Sequence, residues 1–356
     1  MRQNLQSSPS DPAARVQESL SQSTATWVIS DGAAGNERQA LALAQALRLS
    51  PAIAQIDLRA PWRWFAPRLL AGARLALPGE IRAHLKPPWP PFVIGCGRHA
   101  ALLTRWLRRA SAGKTFVVQI LDPRIDPAQF DLVIAPRHDE LAGANVIQTL
   151  GALNAIDEDW LAAGLARFPN VAQLPQPRTT LLLGGPRRGL GMDAAWLENF
   201  LARVNALLAR DGGSLLIATS RRTPAAWRAR AREMLRADCR HIWSGPGDGE
   251  NPYQGYLAAA DRLIVTPDSV NMLSEACATG KPVFSLLAAA AHGRIPRLHA
   301  ELAGQGWLHT LDAQVDLSTL PQLPPLRELA AVASKVRHVL EATRPEIAVA
   351  LAPESP

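Results

Sequence analysis

The chain has 356 residues, 47% of them hydrophobic and 19% charged, and a formal net charge of +7. That length predicts two domains rather than one core, and the composition is that of a folded globular protein. The basic excess comes without RNP, zinc-finger or Lys-rich patterning, which argues against nucleic acid as a partner. It leaves a solvated basic surface, or attraction to phosphate-bearing ligands and anionic membranes.

Cys96, Cys239 and Cys277 lie far apart and show no metal-ligand spacing. They read as reduced structural thiols, and the expected compartment is cytoplasmic. No uninterrupted apolar run reaches the ~18 residues of a membrane-spanning helix.

Residues 1–24 are rich in Ser, Gln and Pro, lack an apolar h-region, and are expected to be a disordered tail. Residues 25–165 read as an N-terminal Rossmann-like domain. Thr26–Ser30 is its first strand, and a small-residue loop from Asp31 to Asn36 follows, with Gly32 and Gly35 spaced G-x-x-G. That spacing is neither a Walker loop nor G-x-G-x-x-G. It lets a backbone approach a ligand closely, or only makes a tight turn. A helix is expected over Glu37–Leu49, with Asn36 as a candidate cap. Asp31 and Glu37 are the acids able to act as a base here.

Ala52–Leu58 reads as a second strand. Trp62, Trp64 and Phe65 are then interleaved with Arg59, Arg63, Arg68 and Arg74. This is either a helix packing its apolar side on the sheet or a membrane-surface segment. Phe92–Gly95 is a strand that delivers Arg98 and His99 to the start of a helix. His99 is there a general base or a helix-end hydrogen bonder. Strands over Thr115–Leu121, Phe130–Ala135 and Asn145–Leu150 complete an alternating α/β half. Pro169, Pro175 and Pro177 mark the boundary.

Residues 175–320 restart the alternation. The strand Thr179–Leu183 leads into a basic glycine loop, Gly184-Gly185-Pro186-Arg187-Arg188-Gly189. The strand Ser214–Thr219 leads into Ser220-Arg221-Arg222-Thr223-Pro224, a good anion-binding arrangement with Thr223 as N-cap and Pro224 in the first turn. Strand Arg262–Thr266 precedes a polar loop with Asp268 and Ser269. A helix carrying Val270, Met272, Leu273 and Ala276 at helical spacing then runs to Gly280. A polar loop between a strand's C-terminal end and a helix N-terminus is where open α/β sheets bind ligands, and the helix start favours phosphate. Glu275 follows on the same helix. The pattern suggests a nucleotide-sugar site, with phosphate at the helix start and a sugar hydroxyl on Glu275. Residues 321–356 read as a closing helix and tail.

Several stretches together carry a resemblance. WVISDGAAGNE-x-QAL at 27–41, GGPRR at 184–188, SRRTP at 220–224, NPY at 251–253 and VTPDSVNMLSEACATGKPV at 265–283 resemble the elongated-mitochondria (mitochondrial fission) family. The last segment is also similar to the donor site of GT-B glycosyltransferases. The resemblance implies two Rossmann-like domains with parallel sheets facing a central cleft, the donor held by the second. It implies a nucleotide-sugar site at Gly184, Gly185, Ser220, Arg221, Arg222, Thr223, Asp268, Ser269, Met272 and Glu275. Ser269 and the helix start would face the pyrophosphate, chiefly with Ser220 and Arg221. Gly32, Gly35 and Asn36 would form an acceptor-side loop, and the base stays open among Asp31, Glu37 and His99.

The implied activity is metal-independent transfer of a sugar from a nucleoside-diphosphate donor, onto a lipid-linked or envelope acceptor. That activity needs no cofactor besides the nucleotide-sugar co-substrate, and places the chain in peripheral contact with the inner membrane. The alternatives are a non-catalytic scaffold or fission/recruitment factor, as in the plant relative, and a nucleotide-sugar epimerase. No protein partner follows from the sequence.

Overall fold

The computed structural model describes residues 26–77, 79–312, 314–315 and 320–351. The expected tail over 1–24 lies outside them. The chain divides into two units, one running to Thr149 and resumed from Glu328, the other Leu150–Arg327.

In the first unit the elements follow as β1 (Thr26–Ser30), α1 (Ala34–Ala46), β2 (Ala52–Gln55), α2 (Trp62–Phe65), α3 (Gly79–His84), β3 (Phe92–Cys96), α4 (Arg98–Ala110), β4 (Phe116–Ile120), β5 (Leu132–Pro136) and β6 (Val146–Thr149). They make one parallel sheet in the order β2-β1-β3-β4-β5-β6. Strands β1, β3, β4 and β5 are buried at every position. That is why they read as near-continuous apolar runs: a parallel sheet is covered on both faces.

The second unit contains α5 (Glu158–Arg167), α6 (Pro169–Ala172), β7 (Arg178–Leu183), α7 (Ala194–Asp211), β8 (Ser214–Thr219), α8 (Ala225–Met234), β9 (Cys239–Trp243), α9 (Tyr253–Ala259), β10 (Arg262–Val265), α10 (Val270–Cys277), β11 (Val283–Ser285), α11 (Arg294–Gly304) and β12 (His309–Thr310). Its parallel sheet is ordered β12-β11-β10-β7-β8-β9. Taken from the first strand of the unit, this is the doubly wound order 3-2-1-4-5-6. The fold is α/β and GT-B-like, with a Rossmann-like parallel sheet in each unit.

The order reverses once in each sheet, between β1 and β3 and between β7 and β10. At such a switch point the loops leave in opposite directions, opening a crevice outside the strands' C-terminal ends. Both candidate sites stand there.

Two boundaries differ from the sequence expectation. The second unit begins at Leu150, not after the prolines. Leu150, Ile156 and Val171 are core residues packed with Leu257, Leu273 and Ala276. The Ser274 hydroxyl also accepts the Ala152 amide at 2.8 Å. Asp157, Glu158 and Asp159, a D-x-D triplet, serve the start of α5. Asp157 caps it by accepting from the Trp160 amide, and Glu158 pairs with Arg327.

The closing helices α12 (Leu329–Thr343) and α13 (Pro345–Ala350) belong to the first unit. Arg337 donates to the Ala46 carbonyl at the end of α1, and Arg344 to the carbonyls of Gly113 and Lys114 just beyond α4. Cations at helix C-termini satisfy orphan carbonyls and oppose the helix dipole.

Helix α1 starts at Ala34 rather than Glu37, so Asn36 lies inside its first turn and does not cap it. Helix α8 is capped by Pro224, not Thr223, whose hydroxyl has another use. Strand β2 stops at Gln55. Arg262, expected as part of an apolar strand, is fully buried, paired with Asp211 and bonded through Nε to the Thr179 hydroxyl at 2.7 Å.

Candidate functional site at the second switch point

Four loops meet at the C-terminal ends of β7, β10, β8 and β11. Asp268 is their common tie. It is fully buried and accepts from the Thr266 hydroxyl at 2.7 Å and from Arg222 Nη2 at 2.6 Å. Its carbonyl accepts from Arg187 Nη1 at 2.8 Å. The Gly184 amide donates to Thr266 Oγ1 at 2.7 Å, drawing the β7 loop onto the β10 loop. A Cβ at Gly184 would stand 2.0 Å from Asp268 Oδ1, and one at Gly185 2.2 Å from the Arg222 carbonyl. Both glycines are therefore required for close approach rather than for an unusual φ.

The Ser220–Thr223 loop is held from within. Thr223 Oγ1 accepts the Ser220 amide at 2.9 Å and donates to the Leu183 carbonyl at 2.6 Å, while Ser220 Oγ accepts the Arg222 amide at 3.1 Å. Ser220 and Thr223 thus shape the turn. Arg222 reaches Asp268, and Arg221 is exposed. Of the residues expected to contact phosphate, Ser220 makes local hydrogen bonds and Arg221 points to solvent, while Arg222 and Arg187 are the guanidiniums drawn to Asp268.

Helix α10 is capped by Ser269, whose hydroxyl accepts the Met272 amide at 3.3 Å. Met272 itself packs into the core beside Leu273, so its side chain is structural rather than ligand-facing. Glu275 is 6% exposed and accepts from the Tyr253 hydroxyl at 2.5 Å. A buried carboxylate needs such a donor.

Burial lowers the basicity of Arg187, the charges of Arg222 and Arg294 lower it further, and Asp268 opposes them. Arg187 thus feels two neighbouring guanidiniums and one carboxylate, beside the N-terminus of α10. Sequence reasoning did not single out Arg187, Arg294 or Tyr253 as ligand residues. For Arg187 and Tyr253 the signals were present in the GGPRR and NPY motifs, and Arg294 lies in neither.

His299 on α11 supports the loop from behind. It is 6% exposed, and its ring donates to the Pro267 carbonyl. Burial lowers its pKa to about 4. An unfolded histidine takes up its proton near 6.5 while the native ring stays neutral. Stability is therefore complete above pH 6.5 and is lost as pH falls toward 4, by at most about 3 kcal/mol. Melting temperatures measured from pH 7 to 4.5 should fall more steeply for the wild type than for His299→Gln. Equal slopes would remove His299 as the cause.

At the first switch point, Asp31 Oδ1 accepts from the Ala33 amide at 3.2 Å and from Asn36 Nδ2 at 3.0 Å. Gly97 has φ +87°, and a Cβ there would lie 2.6 Å from Asn36 Nδ2. Gly32 has φ +73° and backs onto Gln55, and Gly35 is in the first turn of α1. His99 Nε2 lies 3.1 Å from Arg98 Nη2. Its pKa is lowered by burial first and then by the Arg98 charge, with Asp31 opposing. The Cys96 thiol is pushed up by burial and by Asp31. Asp31, Asn36 and His99 are thus brought together. Glu37 is turned to the sheet end, where it accepts from the Ser30 hydroxyl at 2.9 Å.

Known proteins share the sequence pattern and the fold of this chain. A protein of Arabidopsis thaliana, "Mitochondrial fission protein ELM1", is 33% identical over 278 residues, covering 71% of this chain and 64% of the plant protein's own length. Among solved structures, the UDP complex of MnaA from S. aureus superposes with a TM-score of 0.58 at 13% identity, covering 93% of this chain and 99% of that one. A UDP-GlcNAc 2-epimerase from Methanocaldococcus jannaschii gives 0.53 at 13%, covering 92% and 95%. At such identities these two speak for the fold alone. The family described as Mitochondrial fission ELM1 matches residues 34–340, and the chain belongs to that family.

Proposed function

We propose that the second unit binds a nucleoside-diphosphate sugar, and that the chain transfers the sugar from it without a metal ion. The observation that carries this reading is the convergence of Arg187 and Arg222 on the buried Asp268 at the switch point, beside the N-terminus of α10. A diphosphate is an anion that such a site can take, since guanidinium groups bind phosphate oxygens in a fixed fork. Glu275, held by Tyr253, then accepts from a ribose or sugar hydroxyl. That the S. aureus neighbour is seen with UDP agrees with the same ligand class.

In the transfer, the bond from the anomeric carbon to the diphosphate oxygen breaks, and an acceptor oxygen bonds that carbon. Charge builds on the leaving diphosphate, where preorganised guanidiniums stabilise it. The acceptor's proton goes to a general base. Of the candidate bases, His99 has a lowered pKa that leaves its ring able to accept a proton near pH 7.

A second reading, a nucleotide-sugar-binding recruitment factor, draws on the engagement of both carboxylate candidates. Asp31 is held by Asn36 and Glu37 by Ser30. The plant relative's name points the same way.

Thermal-shift screening against UDP, GDP and TDP sugars tests the binding itself. A ligand at 100 times its Kd stabilises by about 2.7 kcal/mol, which is several degrees. If no nucleotide sugar moves the melting temperature, the assignment fails. Release of free nucleoside diphosphate in the presence of membrane extract then separates turnover from binding alone.

A further inference from the structure

The segment between β2 and α3 has a character of its own. The Arg59 amide donates to the Ala76 carbonyl at 2.8 Å, so residues 60–75 leave the domain and return to one point as an Ω-type loop. The loop is braced rather than loose. Arg105 of α4 donates to the carbonyls of Pro67 at 3.2 Å and Arg68 at 3.4 Å. The Trp62 indole donates to the Ala71 carbonyl at 2.8 Å, which turns this tryptophan inward. Ala66, Ala73 and Ala76 are buried beneath. A Cβ at Gly72 would lie 3.0 Å from the Trp62 ring and 3.8 Å from Leu75, so α2 and the turn at Ala73–Ala76 run side by side.

What this braced loop shows to water is unusual. Among the described residues four large hydrophobic side chains are exposed, and three are here: Trp64 at 69%, Phe65 at 58% and Leu75 at 56%. Arg59, Arg63, Arg68 and Arg74 are exposed among them. No Asp or Glu occurs between Leu58 and Gly79. Scattered surface hydrophobics need no explanation, but three on one rigid, acid-free loop do.

We propose that this loop docks the chain on the surface of an anionic lipid bilayer. Trp64, Phe65 and Leu75 enter the boundary between headgroups and acyl chains, and the four arginines face lipid phosphates. Aromatic rings favour that depth, and each basic residue near an anionic leaflet adds attraction. Single-stranded nucleic acid also attracts Arg and aromatic rings, but it offers nothing to the aliphatic Leu75.

Flotation of the full chain tests the proposal. Vesicles of phosphatidylcholine with about one third phosphatidylglycerol should carry the wild type upward at low salt, and less so as salt rises. Pure phosphatidylcholine vesicles should carry far less. Trp64→Ser with Phe65→Ser should weaken binding at least roughly tenfold. Arg59→Gln with Arg63→Gln should weaken it roughly twentyfold. All four side chains are exposed, so the melting temperature should hold in both variants. Val349→Ser, at an exposed apolar position on α13, should bind as the wild type does. Failure to float on anionic vesicles, unweakened binding by either double variant, or a preference for single-stranded DNA over vesicles would overturn the proposal.

Discussion

Gly184→Ala should cost the second unit about 2–4 kcal/mol, a fall of roughly 10 °C in melting temperature for a domain of this size. The added methyl would sit 2.0 Å from Asp268 Oδ1 and 2.5 Å from its Cγ. Overpacking is ordinarily relieved by a neighbouring side chain moving away. Here the neighbour cannot move cheaply. Asp268 is fully buried and holds both the Thr266 hydroxyl and the half-exposed Arg222 guanidinium, so displacing it leaves a buried carboxylate short of donors. Gly304→Ala is the matched control, because a Cβ there meets nothing within 4 Å and the position ends a helix. It should be neutral or slightly stabilising. A Gly184→Ala melting temperature within about 2 °C of the wild type would show that the loop junction is looser than its hydrogen bonds indicate.

Glu275→Ala should lower affinity for the nucleotide sugar that gives the largest thermal shift by about 10- to 100-fold, the value of a hydrogen bond to a charged group. The fold should survive. The Tyr253 hydroxyl that Glu275 accepts from belongs to a half-buried side chain and can turn to water. Tyr253→Phe should show a smaller loss in the same titration, because the carboxylate stays while its orientation relaxes. Isothermal titration of both variants separates the two effects. An unchanged Kd for Glu275→Ala would reduce the residue to a partner of Tyr253 and remove the sugar-hydroxyl assignment with it.

The site's residues were unequally legible. Ser269 as a helix cap and Glu275 on the helix that follows could be read from spacing alone, because caps and helical faces are local. Asp268 was visible as a polar loop residue, but its role was not. It binds Arg222 from another strand's loop, 46 positions away, and no local pattern encodes that pairing. Thr223 illustrates the opposite error. Thr-Pro before a helix is a strong capping signal, yet the hydroxyl turns back to Leu183 because a parallel strand end lies within reach. Met272 fits the ligand face by spacing and the core by packing, and packing decides it.

The chain by itself determined the alternation of strands and helices and the strand-end position of every loop that carries chemistry. Apolar runs of strand length and helix-period faces are properties of contiguous residues. Strand order, the two switch points and the joining of Leu150–Val171 to the second unit rest on contacts between distant segments. So does the return of the C-terminal helices to the first, where Arg337 and Arg344 reach carbonyls more than two hundred residues away. The same holds for the arginines of the candidate site. Arg187 and Arg222 come from loops after different strands and meet at Asp268 only because the sheet order brings those strands' C-terminal ends together.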